Sequence, residues 1–202
     1  MKFYALVIVI SAGIICAANC LFTSAAVWLC VVLTVSAVIG LVILHGAGSA
    51  FIYSLRKHIN PKSKYFNVSR KEKRFWEFFG VRKFKDYLPD LGAAFVGFAK
   101  GKIAEPKDIK YLEKYIHETC VGEIGHIAGA CLGYLIMLCM PVNNFWLYIA
   151  LPCAVVNMFL AIMPMIAMRY NRYKLTGLLK IVEMQVKKSE RHEKQGDSVS
   201  DT

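Results

Sequence analysis

The sequence predicts an all-α integral membrane protein, with four transmembrane helices in two hairpins around a basic cytoplasmic loop that contains interfacial helices. Three observations carry this reading. Hydrophobic residues make up 56% of the 202 positions, a composition of membrane proteins rather than soluble domains. No charged residue occurs between Phe3 and Leu44, and about 20 apolar residues suffice for one span. The 25 lysines and arginines fall into three places only: Lys2, the stretch from Arg56 to Lys114, and the stretch from Arg169 to Lys194. This is the asymmetry expected when basic loops stay on the cytoplasmic side.

The first apolar run divides at "NCLFTS", Asn19 to Ser24, where polar and small residues gather. Spans are therefore expected at about 3–18 and 25–44. A cleaved signal peptide is the competing reading of the first segment, because Lys2 precedes it and Ala17-Ala18 could imitate a cleavage site. The single lysine and the second apolar segment that follows at once speak against it. Two further spans are expected at about 116–140 and 145–168, joined by the turn "PVNN".

Between the second and third spans lies the loop 56–115. Its segment "KEKRFWEFFGVRKFKDYLPD", residues 71–90, interleaves basic and aromatic side chains. That mixture suits the headgroup layer, with rings at the interface and lysine stems reaching water. Nucleic acid is the rival partner for such a patch and is not expected here, since a segment tethered between two spans meets lipid first. The stretch "LPDLGAAFVGFAKGK" reads as a loop or re-entrant turn, and helix resumes near Pro106 and Asp108.

After the fourth span, Leu175, Leu178, Leu179, Val182 and Val186 recur at helical spacing, giving an amphipathic helix over 174–186 on the cytoplasmic surface. Residues 1–186 form one membrane domain. The tail 187–202 is too polar to fold and is expected to be disordered, with His192 solvated. Both termini and the loop are cytoplasmic, and the net charge of +11 faces anionic headgroups or an anionic substrate. The seven cysteines lie in or beside spans without a CxxC pair, as small packing groups rather than zinc ligands or redox centres.

The chemistry concentrates in "ETCVGEIGH", residues 118–126. On a helix of about 100° per residue, Gly122, Gly125, Gly129 and Gly133 share one face with Glu118. Such a face permits close helix approach, within the chain or in a homo-oligomer. Glu123 and His126 flank it and are neighbours at i, i+3. Ionisable groups inside a span are functional candidates. A carboxylate orienting an imidazole makes a general base, whereas a self-satisfied pair would only lock packing. One Glu-x-x-His copy is too little for a di-iron bundle site, so no metal is expected. His117 falls on another face.

The fourth span ends in "MPMIAMRYNRYKL". An antiparallel fourth helix would bring Arg169 to the depth of Glu118 and Pro164 to that of Glu123. The proline frees a backbone carbonyl and permits a kink that opens a cavity.

Three segments in this order, "VRKFKDYLPDLGAAF", "ETCVGEIGH" and "MPMIAMRYNR", resemble the glycosyl-4,4'-diaponeurosporenoate acyltransferase family. These are small bacterial membrane proteins named for attaching a fatty acyl chain to a sugar hydroxyl of a carotenoid glycoside. The resemblance runs from about Arg56 to Leu175. It aligns Glu118, Thr119, Glu123 and His126, then Leu88, Pro89, Asp90 and Gly92, and finally Pro164, Arg169, Tyr170, Asn171 and Arg172. Leu91, Met163 and Met168 depart from the pattern.

The resemblance implies a multi-pass protein of the bacterial plasma membrane that meets membrane lipids and a lipid-linked acceptor. It implies no bound cofactor and an acyl thioester, on coenzyme A or acyl carrier protein, as co-substrate. His126 would be the base, Glu123 its orienting partner, and Glu118 a hold on the acceptor. Asp90, Tyr170 and Asn171 would line the substrate site. Arg169 and Arg172, with Lys83 or Lys85, would meet a phosphorylated carrier. No serine or cysteine is placed as a nucleophile, so direct transfer is favoured. A reading of another class is a non-enzymatic lipid-binding or assembly subunit whose Glu and His are structural.

Overall fold

In the computed structural model the described residues are 2–23, 25–88, 103–139 and 145–200. The turn at 141–144 and the segment containing Asp90, Gly92, Gly97 and Gly101 lie outside them. The helices are α1 (Lys2–Phe22), α2 (Val27–Ser54), α3 (Arg70–Phe78), α4 (Val81–Phe84), α5 (Ile109–Gly133) and α6 (Leu151–Ser200). Four of these helical stretches are long and apolar enough to cross a membrane.

The spans are longer than the polarity of their ends suggests. Asn19, expected to mark the break, is buried inside α1, where its amide donates to the carbonyls of Ile15 and Tyr148, both at 2.8 Å. With its amide nitrogen bonded to two carbonyls, Asn19 need not end the helix, although its Oδ1 meets no partner among the described residues. α2 continues ten residues past Leu44, carrying His45 and Ser49 into the bundle.

α5 starts at Ile109, with the Asp108 side chain accepting from the backbone nitrogens of Lys110 and Tyr111, an N-cap that satisfies otherwise orphaned donors. Pro106 lies outside the helix. Beyond Gly133 the chain tightens into a 3-10 turn over Tyr134–Cys139, and α6 is entered through a π-helical turn at Trp146–Ala150.

α5 is packed between α2 and α6. A Cβ placed on Gly48 of α2 would stand 3.1 Å from the Gly129 nitrogen, so these two backbones touch. Gly125, Gly129 and Gly133 are buried against α2 and α6 of the same chain. The glycine stripe is thus occupied by intramolecular packing. The outward sides of α1 and α2 remain apolar and exposed at Leu6, Val9, Ile14, Val31, Ile39 and Val42, a surface suited to lipid.

Pro164 lies inside α6 and lacks the N–H that would bond the Leu160 carbonyl. The Tyr4 hydroxyl of α1 donates to that carbonyl at 3.0 Å. The carbonyl freed by the proline is therefore held by α1.

The stretch 174–186 is a continuation of α6 rather than a separate surface helix. Leu175 and Val182, with Leu178 and Leu179, pack against Leu112, Tyr115 and Ile116 of α5, while Val186 is exposed. α6 also continues to Ser200 through the tail expected to be disordered. Lys, Glu, Arg and Gln are good helix formers that extend an existing helix without re-nucleation.

In the basic loop, Ser69 caps α3 by accepting from the Glu72 nitrogen, and Gly80, at φ 77°, makes the left-handed joint to α4. Phe75, Phe78, Phe79 and Tyr87 project outward.

The glycine stripe gives a direct test. Gly129→Ala would put a Cβ 2.7 Å from the His45 ring, whereas the nearest atom to a Cβ at Gly125 is 3.6 Å away. Gly129→Ala is expected to destabilise the protein by about 1–3 kcal/mol, as overpacking does, and Gly125→Ala to be tolerated. Thermal unfolding in detergent, followed by helical ellipticity, compares the two.

Candidate functional site

Two polar clusters sit between α5 and α6, the first reached also by α3 and the second by α2. The first is built around Glu123, which is fully buried. One carboxylate oxygen accepts from Arg169 Nη1 and the other from Arg172 Nη2, each at 2.6 Å. Such charge-assisted bonds are the strong ones, and a buried carboxylate requires them.

Both arginines are satisfied further. Arg172, 2% exposed, donates to the Thr119 hydroxyl and carbonyl and to the Phe66 carbonyl. Arg169 donates through Nε to Glu72 Oε1 at 2.6 Å and through Nη2 to the Tyr65 carbonyl. Burial works against ionisation of Glu72, but the Arg169 and Trp76 hydrogen bonds outweigh it and hold the carboxyl below the usual carboxylate range. Burial and the Glu123 charge push the Tyr65 phenol upward. One turn along, the Tyr170 hydroxyl donates to Glu77 at 3.2 Å. The network fastens the segment 65–77 to α5 and α6.

This fixes the register of α6 on α5. Arg169 meets Glu123 rather than Glu118, and Arg172 meets Thr119 and Glu123. Asn157 meets Gly129 and Gly133. By interpolation Pro164 lies near the depth of His126, deeper than expected. The offset is confined to the Arg169 end of α6, since Asn157 meets Gly129 and Gly133, the level that the expected register also gives it.

The second cluster surrounds His126. Its Nδ1 lies 3.3 Å from His45 Nε2, and His45 Nδ1 lies 3.0 Å from Asn157 Oδ1. The two rings meet edge-on with centroids 5.5 Å apart. The Asn157 amide reaches the Gly129 carbonyl at 3.5 Å. α2, α5 and α6 each contribute one residue to this line. Beside it, α1, α2 and α6 leave an apolar groove lined by Ile8, Ala12, Ile15, Val38 and Leu41, with Asn157 at its polar edge.

Of the expected site residues, the structure brings Glu123, Arg169 and Arg172 into direct contact. His126 lies one turn deeper on α5, with its Nδ1 toward His45. Glu118 is buried and makes no hydrogen bond to the described residues. Asn171 is half-buried on α6, Lys83 is exposed on α4, and Lys85 is half-buried in the turn that follows. Asp90 lies outside the described residues.

Sequence reasoning missed His45, Asn157 and Glu72. The first two carried the same signal as His126, a polar side chain within an apolar run. His45 was passed over because the second span was ended one residue before it. Glu72 had no local signal, since its partner is 97 positions away.

A family model described as glycosyl-4,4'-diaponeurosporenoate acyltransferase matches residues 57–181. No curated protein and no solved structure matches the chain. The matched stretch contains His126, Asn157 and the whole Glu123 network, whereas His45 precedes it.

Glu123→Ala leaves one buried and one half-buried guanidinium group without their shared carboxylate. A loss of about 3–5 kcal/mol is expected, as for breaking other buried ion pairs. Glu72→Gln, at a half-buried site, should cost about 1 kcal/mol or less. Unfolding midpoints in a mild detergent would separate the two.

Proposed function

The chain belongs to the glycosyl-4,4'-diaponeurosporenoate acyltransferase family, and on that premise we propose that it moves a fatty acyl group from an acyl thioester to a hydroxyl of a membrane glycolipid or carotenoid glycoside. The observation that carries this reading is the hydrogen-bonded line His126, His45 and Asn157, held among spanning helices beside an apolar groove. Polar groups are costly at that depth unless they serve a function.

In the proposed reaction His126 accepts the acceptor hydroxyl proton as its oxygen attacks the thioester carbonyl. The carbon–sulfur bond breaks, the thiolate takes up the proton, and the products are an ester and a free thiol. The acyl chain lies in the groove by Ala12 and Leu41. Glu123, Arg169 and Arg172 act as the frame that sets the depth of α5 against α6, since their charges are directed at one another. Glu118, Tyr170, Asn171 and Asp90 remain candidates for acceptor contacts.

Exposed cations such as Lys83, with Lys85, would receive the phosphate of a coenzyme A or carrier-protein donor. The four spans form two hairpins in the bacterial plasma membrane, with the termini and the loop 56–115 on the cytoplasmic side where such donors occur. The supporting observation is the confinement of all 25 basic residues to those parts.

The test is lipid mass spectrometry of cells expressing wild-type protein or His126→Ala at equal membrane levels. A lipid heavier by one acyl chain should appear with the wild type and fall about 10²–10⁴-fold in the variant, the usual contribution of a general base. Identical lipid profiles in a host that makes the candidate glycolipid would reject the reaction in favour of a lipid-binding or assembly role.

A further inference from the structure

We infer that Asn157 and His45 are positioning residues that fix the tautomer of His126, placing the proton on Nδ1 and the basic lone pair on Nε2. The inference deepens the proposed reaction, and rests on it only for the use of that lone pair.

A backbone carbonyl can only accept a hydrogen bond. The Asn157 amide nitrogen donates to Gly129 O, and this sets the amide orientation, turning Oδ1 toward His45. An amide oxygen also only accepts, so the His45 Nδ1 at 3.0 Å carries the hydrogen. A neutral imidazole protonated at Nδ1 has its lone pair at Nε2. That nitrogen faces His126 Nδ1 at 3.3 Å, so His126 Nδ1 is the donor and the lone pair of the second ring is on Nε2. Each proton position follows from the one before it, across three helices.

Glycine is what allows the line to fit. A Cβ on Gly129 would fall 2.7 Å from the His45 ring, and one on Gly133 would collide with the Asn157 amide. The stripe that brings the helices together also seats the two residues that orient the base. When His126 takes a proton at Nε2, its Nδ1–H still points at the His45 lone pair, and the bond becomes charge-assisted. His45 lies outside the stretch matched by the family, so this half of the line belongs to the chain's own first hairpin.

The test is solid-state nitrogen NMR of the full chain, labelled with ¹⁵N-histidine and reconstituted in lipid bilayers. It is run at about pH 8, above the ordinary histidine pKa of about 6.5. The chain has five histidines, and the spectrum of His126→Gln assigns the resonances of His126. The expected result is a protonated-type shift at His126 Nδ1 and an unprotonated-type shift at Nε2. The reverse pattern in the wild type would overturn the inference.

In His45→Leu the His126 tautomer should no longer be held, and kcat should fall on the order of 10²-fold with KM little changed. His45→Gln, whose amide oxygen can still accept from Nδ1–H, should recover both the shift pattern and part of kcat. Equal rates and shifts in His45→Leu and wild type would also overturn it. The wild-type shifts decide the tautomer without any turnover, whereas missing acyl transfer counts against the proposed reaction alone.

Discussion

A carboxylate with no access to solvent, held between two guanidinium groups, is the constraint on which the rest of this bundle depends. Burying a carboxylate in an apolar interior is costly unless it is paired, and Glu123 is paired with Arg169 and Arg172. Satisfying it fixes α6 against α5 in depth and rotation. Arg169 then reaches Glu72, so the same network draws the loop helix α3 onto the bundle. The register in turn places Asn157 opposite Gly129 and Gly133, which is where the His45–His126 line needs it. A structural ion network and a candidate reactive site are thus coupled through helix register rather than through shared atoms.

The two clusters also divide the polar groups by role. In the first, the hydrogen bonds of the charged groups run to other protein atoms and little is left to meet a ligand. In the second, two imidazole rings and an amide are joined by fewer and longer bonds at the edge of an apolar groove. Low dielectric makes both clusters stiff. Arginines that looked like an anion-binding pair in the sequence are, in the structure, directed inward onto acids.

The number of spans, the basic loop and the glycine stripe are legible because each rests on local composition or on helical period. Seeing His126 inside a span needed no more than that. Its partners were harder to find. His45 depends on how far α2 runs past Leu44, and Leu44 gives no stop signal because His45 is satisfied by α5 and α6. The level at which Arg169 pairs is set by which α5 carboxylate its guanidinium reaches, which hydropathy does not record. Glu72 was illegible in principle, since a loop residue docking on a distant helix leaves no periodic trace. In each case the missing information was long-range pairing.

The first helix is fastened to α6 by hydrogen bonds near its two ends. Tyr4 holds the carbonyl that Pro164 leaves open, and Asn19 holds the Tyr148 carbonyl. Between them, Ile8, Ala12 and Ile15 meet α2 and α6 through apolar contact alone along the groove. Contacts of that kind are non-directional and re-form after sliding, whereas the two hydrogen bonds are specific in place. Mechanically, α1 is a beam pinned at two points, and its seating between them rests on side-chain packing alone.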